Sequence, residues 1–197
     1  MAGIDKPILF DFPDHFETEL LLLRAPRPGD GQILNDAIRQ SQEHLKPWMP
    51  WAETLETVAQ SEESMRRQAA NWLLRTILWL MIFRKSDGAF VGRCGLHDIN
   101  WSVPSFEIGY WVRASMEGHG YVTEAVNGLS DFAFDQLHAE RIQIRCDPRN
   151  VRSAAVARRA GYTEEGIIRN DMRERDDTLS SSQVFSMLRA EWEARKA

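Results

Sequence analysis

Apolar residues change their spacing several times along this chain, and each change marks an element. Residues 19 to 24, Glu-Leu-Leu-Leu-Leu-Arg, form a short apolar run closed by Pro26, Pro28 and Gly29, the pattern of a buried strand leaving into a turn. Asp30 then stands where a helix cap would, and Ile33, Leu34, Ala37 and Ile38 recur at helical spacing. A second helical stretch is predicted from about Thr57 to Ile77. Between the two helices, in Glu43 to Trp51, Pro47 and Pro50 forbid a regular helix. Trp48, Met49 and Trp51 give this segment more apolar surface than a loop usually carries, enough to wall a pocket.

From Leu78 the pattern becomes that of strands. Leu78 to Phe83, the turn signal Ser86-Asp87-Gly88 and Ala89 to His97 predict an antiparallel hairpin, and Phe106 to Val112 a third strand. A glycine-containing loop over residues 117–122 leads into a helix from about Thr123 to Leu137, with Val126, Leu129, Ala133 and Leu137 on one stripe. A strand (Arg141 to Asp147), a helix (Val151 to Ala160, ended by Gly161) and two last strands near 163–169 and 182–189 complete the order. Strands first and βαβα later predict an α/β (α+β) fold with a mixed, mostly antiparallel sheet covered by helices. With 197 residues, 43% of them hydrophobic, and no repeat or linker, a single domain over 1–197 is expected.

Charge removes some functions from consideration. A net charge of -5 and a pI near 5.6 argue against a general polyanion binder, so nucleic acid is not an expected partner. Cys94 and Cys146 both fall in apolar strands and are read as reduced packing residues, which points to the cytoplasm. The amino terminus lacks the signature of an export signal, and no apolar run approaches the ~20 residues of a membrane helix, so no membrane partner is expected.

The strongest local chemistry is Glu117-Gly118-His119-Gly120-Tyr121-Val122-Thr123, between a strand and a helix. Glycines let successive backbone N–H groups converge, and the following helix adds its positive end, so the loop suits a pyrophosphate. Two glycines also mark ordinary turns, and no Lys-Ser/Thr follows as a nucleoside-triphosphate loop requires. Between Arg141 and Arg159 six arginines face one acid, Asp147; this is either a phosphate-side cluster or a solvated basic face. His97 and Cys94 have no second pair at metal-ligand spacing, so no metal is expected. With no G-x-S-x-G elbow, direct transfer is favoured over a covalent hydrolase.

In this order these features resemble the GNAT superfamily of acetyltransferases, and within it the RimJ/RimL-like group that acetylates protein amino termini, ribosomal proteins included. The resemblance rests on Glu19 to Arg24 with Pro26 and Pro28, the segment Leu45-x-Pro47-Trp48-Met49-Pro50-Trp51, the strand Glu107 to Val112, the glycine loop, Asn150-x-x-Ser153 and Gly161-Tyr162. It implies a sheet of about six or seven strands with helices on both faces and one splayed strand pair. Acetyl-CoA lies in that splay, held by Trp111, Val112, residues 117–123, Asn150 and Ser153. The chain departs from the family's loop pattern at Glu117 and Val122, and Ala157 stands where many members carry a catalytic tyrosine.

That last departure makes Ser153 the candidate acid for the leaving thiolate, although a serine opening a helix also serves to bond backbone. Glu107 is the leading candidate base, with Asp171 a substitute, and Trp111 and Val112 offer main-chain donors to the oxyanion. His44, Trp48, Met49, Trp51, His97 and Tyr110 would wall the acceptor channel. The implied acceptor is a primary amine: a protein amino terminus or, alternatively, a small cationic amine drawn by Glu43, Glu53, Glu56, Glu62 and Glu63. A non-catalytic acyl-CoA sensor is a third reading, and the aromatic surface near Trp48 leads to an expectation of a homodimer.

Overall fold

A computed structural model describes residues 3–174 and 176–196. In chain order the elements are β1 (His15–Glu17), β2 (Leu21–Arg24), α1 (Gly31–Leu45), α2 (Val58–Leu74), β3 (Leu78–Arg84), β4 (Phe90–Asn100), β5 (Ser105–Val112), α3 (Tyr121–Gln136), β6 (Arg141–Cys146), α4 (Val151–Arg159), β7 (Thr163–Arg173), β8 (Leu179–Leu188) and α5 (Arg189–Lys196). The strands form one sheet in the order β1-β2-β3-β4-β5-β6-β8-β7. Neighbours are antiparallel except β5 and β6, which run parallel and are joined through α3.

The expected class is found, but with eight strands rather than six or seven. The addition is β1, three residues with no apolar alternation, held by its ladder to β2. Glu43, His44 and Leu45, expected in the irregular segment, belong to α1. Lys46 still has helical angles and donates to Gln42 O, but Pro47 has no N–H to continue the ladder, and the helix stops at Leu45. A capping box between Thr57 and Gln60 opens α2, and Arg75, left-handed at φ 60°, closes it at Leu74 instead of Ile77.

Both faces of the sheet are covered. On one, Leu34, Ala37 and Leu45 of α1 and Met65 of α2 pack on Met81, Phe90 and Trp111. On the other, Ala125, Val126, Leu129 and Ala133 of α3 and Ala154 and Ala157 of α4 pack on Leu80, Ile108, Ile142 and Phe185. No helix among the described residues is long and apolar enough to cross a membrane.

One irregularity positions the site. β5 and β6 share three rungs, Ser105↔Arg141, Phe106↔Ile142 and Glu107↔Gln143. β4 nevertheless follows β5 to Val112, and β8 follows β6 to Cys146. Past Glu107 the two parallel strands part, and each keeps only its outer neighbour.

Candidate functional site

The parting leaves one edge of β5 without a ladder partner. The amide of Arg113 donates to Val91 O at 2.9 Å, and the β4–β5 register pairs Val112 with Gly92 and Trp111 with Arg93. Amides alternate between the two edges of a strand, so Trp111 also turns its amide toward β4, whereas Tyr110 and Val112 turn theirs into the opening. Of the two residues expected to offer main-chain donors, Val112 faces the opening and Trp111 faces β4, with Tyr110 the other amide on the open side. Trp111 contributes its side chain, packed against Phe90 and Trp51.

A cavity of about 500 Å³ runs along this opening. Its lining includes Tyr110, Trp111, Val112, Glu117, Gly118, Gly120, Tyr121, Val122, Thr123, Asn150 and Ser153, so ten of the eleven expected cofactor residues, all except His119, meet there with Tyr110. Gly118 and Gly120 have φ of 75° and 81°, the left-handed region glycine enters at little cost. Open space surrounds the positions where their Cβ atoms would stand. Tyr121, Val122 and Thr123 form the first turn of α3, whose unpaired N–H groups face the same loop. His119 stacks on Tyr121 with ring centroids 5.4 Å apart.

Glu117, an acid beside a proposed phosphate site, has partners on two sides. Arg152 donates to it at 3.0 and 3.1 Å, and His44 Nε2 lies 3.2 Å away. Of the six clustered arginines, Arg152 and Arg159 line this cavity. The others are paired elsewhere: Arg141 with Glu165, Arg145 with Glu107, Arg149 with Asp147 and Arg158 with Glu164. The sequence cluster is thus partly a set of ion pairs that tie strands together.

Ser153 stands at the inner end of the cavity. Asn150 caps α4 by accepting from Ser153 N at 3.0 Å, so the cap uses the serine amide and leaves its hydroxyl free for other work. That hydroxyl lies 2.9 Å from the Tyr110 hydroxyl, which also donates to Ser153 O at 3.0 Å. Burial pushes the Tyr110 hydroxyl pKa far above its ordinary value, so the group stays neutral. Burial likewise raises the thiol of Cys146, against the opposing pull of Ser153.

A second cavity, of about 750 Å³, shares Trp48, Met49, Tyr110, Trp111, Asn150 and Ser153 with the first. It also takes in Trp51, Trp79, His97, Glu107 and Arg145, so the expected acceptor residues gather here except His44, which lines the first cavity. Glu107 is buried at 6% exposure, and its Oε2 accepts from Gln143 at 2.8 Å and Arg145 at 2.7 Å. Asp171 lies 4.0 Å from Arg145. Of the five acids expected to draw a cationic acceptor, only Glu53 lines the cavity. Glu43 is exposed, Glu56 accepts from Ser61, Glu62 holds the amides of Gly29 and Gly31, and Glu63 pairs with Arg67. His97, Asp98 and Glu107 bring possible metal-ligand atoms within 4.8 Å of one another, but Arg145 bonds both carboxylates of the trio.

The partners of Glu117 and Glu107 were not legible in the sequence, since Arg152 and Arg145 lie more than thirty residues away in each case. Comparison with known proteins gives consistent likenesses. A family model described as acetyltransferase (GNAT) domain matches residues 21–163. A Bacillus subtilis (strain 168) protein named as a candidate ribosomal N-acetyltransferase, YdaF, is 31% identical over 182 residues, covering 90% of this chain and 96% of the relative. Among solved structures, the microcin C7 self-immunity acetyltransferase MccE, in complex with acetyl-CoA and AMP, superposes with a TM-score of 0.83 at 23% identity, over 90% of this chain and 97% of that one. RimL, the ribosomal L7/L12 alpha-N-protein acetyltransferase in complex with coenzyme A, does so at 0.80 and 19% identity, over 87% and 95%. At those identities the two structures speak for the fold.

Proposed function

Given that the chain belongs to the GNAT family of acetyltransferases, we propose that it transfers acetyl from acetyl-CoA to the α-amino group of a protein, of the kind found on ribosomal proteins, by direct attack in a ternary complex. The observation that carries this reading is the meeting of two cavities at Tyr110, Trp111 and Ser153, where β5 leaves β6. Acetyl-CoA enters from the glycine-loop side, its diphosphate on the amides of residues 117–123 and its pantetheine amides on the free edge of β5. Acceptor enters from the side walled by Trp48, Trp51, His97 and Tyr110.

The amide of Tyr110 bonds the developing oxyanion, that of Val112, two residues further along the same edge, is left to the pantetheine arm, and Ser153 gives its proton to the departing thiolate. The proton acceptor for the amine lies in the pair of His97 and Glu107, at the closed end of the opening. An α-amino group, with a reference pKa of ~7.7–8.0 against ~10.4 for lysine, is the more readily neutralised nucleophile. YdaF's name supports a protein acceptor over a small cationic amine. The same reading takes residues 1–197 as one cytoplasmic domain and leaves a homodimer to be measured by sedimentation.

Incubation of the protein with acetyl-CoA and a library of amino-terminal peptides, read by mass spectrometry, tests the proposal. Acetyl on the α-nitrogen of some peptides is expected. Turnover confined to small amines would replace it with the small-amine reading, and a coenzyme A-induced rise in melting temperature without turnover would replace it with the sensor reading.

A further inference from the structure

We infer that His97 takes the proton from the attacking amine, with Glu107 and Asp98 as its positioning carboxylates; this rests on the acetyltransfer reading above. His97 on β4 is the cross-strand partner of Glu107 on β5. Its Nε2 lies 3.9 Å from Glu107 Oε1, beyond hydrogen-bond reach, and among the described residues no hydrogen bond to that nitrogen is found. Glu107 is itself held by Gln143 and Arg145 through Oε2, an arrangement that anchors a carboxylate in place.

The ring is fixed on its other sides. Its Nδ1 lies 3.4 Å from Asp98 Oδ2, and Asp98 has φ 46°, a left-handed conformation that non-glycine residues adopt rarely and mostly at functional turns. That kink falls where the β4–β5 register shifts, between His97 and Asn100. Trp79 stacks on the imidazole with centroids 6.0 Å apart and planes at 25°. Glycines make the space for the stack: a Cβ on Gly109 would stand 2.9 Å from Trp79 and 3.0 Å from His97 Nε2, and one on Gly95 would stand 2.7 Å from the Trp79 ring. Gly109 directly precedes Tyr110, whose amide faces the opening, so Nε2 sits beside the residue next to the reacting carbonyl.

The charged groups facing His97 are Asp98 on its own strand, Glu107 on β5 and Arg145 on β6, with Asp171 on β7 behind Arg145 and Arg93 over the far part of the stack, 5.0 Å from the Trp79 centroid. The amine lone pair forms the C–N bond as the C–S bond breaks. Nitrogen's surplus proton passes to Nε2, and sulfur takes one from Ser153. Solvent then removes the proton from His97 and restores the one on Ser153, leaving amide and coenzyme A thiol.

The test is steady-state kinetics of His97→Ala and Asp98→Asn across pH. For His97→Ala we expect kcat to fall by roughly 100-fold or more with little change in KM for acetyl-CoA, and added imidazole to restore part of the rate through the open cavity. Asp98→Asn should lower kcat several-fold with KM for acetyl-CoA little changed, because the contact that orients Nδ1 is weakened. A His97→Ala kcat within about fivefold of wild type, or a deep loss that imidazole leaves untouched while Asp98→Asn turns over at the wild-type rate, overturns the inference and leaves acetyltransfer standing. A wild-type protein that turns over no amine removes both.

Discussion

The phenol oxygen of Tyr110 lies 2.9 Å from Ser153 Oγ and 3.0 Å from Ser153 O, so one side chain from β5 spans the opening and grips the first turn of α4. The phenol fixes where the Ser153 oxygen stands, either oxygen of the 2.9 Å pair being able to donate. Ala157, one turn further along α4, is fully buried, so the tyrosine that meets the start of that helix comes from the strand.

Ser153→Ala should lower kcat by roughly 10- to 100-fold and leave KM for acetyl-CoA nearly unchanged, because a bond to the departing sulfur is made chiefly in the transition state. Steady-state kinetics with acetyl-CoA varied checks this. Equal losses in kcat and in affinity would give Ser153 an architectural role.

Tyr110→Phe keeps the ring and removes both bonds to Ser153. The buried main-chain oxygen left behind costs ~1 kcal/mol, and a chain of this size should melt roughly 2–4 °C lower. Turnover should fall several-fold as well, since Ser153 loses its orienting partner. Calorimetry together with a rate assay separates the two effects.

Glu117→Gln removes the acid from the mouth of the coenzyme cavity and frees Arg152 from its 3.0 Å pair. Acetyl-CoA should bind about 3- to 10-fold more tightly at low salt, with the gain shrinking as salt rises, as expected for partly exposed charges. Titration calorimetry at two ionic strengths reads both trends; an unchanged Kd would mean that the carboxylate does not feel the phosphates.

Glu165 gives a pH prediction for stability. Its bond to Arg141, aided by Ser186, holds its pKa down to about 2 against an ordinary value of 4.5. A depressed carboxylate stabilises the fold above its unfolded pKa and loses that contribution as pH falls toward the folded one. Glu165→Gln should therefore be less stable than wild type at pH 7, by no more than ~1 kcal/mol given a pair about a third exposed, and the difference should vanish near pH 2. Urea unfolding at pH 7, 4 and 2 measures it.

Much of this arrangement is legible in the sequence because it is local. The alternation of β3 to β5, the glycine loop and the Asn150-x-x-Ser153 helix start all depend on residues within one or two turns of each other. β1 and α5 are illegible for the opposite reason. α5 buries only Trp192, which donates to Asp131 of α3, and Arg195 reaches Ala160 O across the fold, so tertiary partners sustain a helix that its own pattern does not announce. The same holds at the site: Ser153 and Glu107 were readable as candidates, but the grip of Tyr110 on one and of Arg145 on the other comes from strand pairing over long sequence distances.

Amide hydrogen exchange of β5 by NMR, with and without acetyl-CoA, probes the opening most directly. Tyr110 and Val112 should exchange readily in the free protein although they lie within a strand, and should become protected when acetyl-CoA is added, while Trp111, in the ladder with β4, stays protected throughout. Exchange at Tyr110 and Val112 that acetyl-CoA leaves unchanged would contradict a thioester seated between β5 and β6.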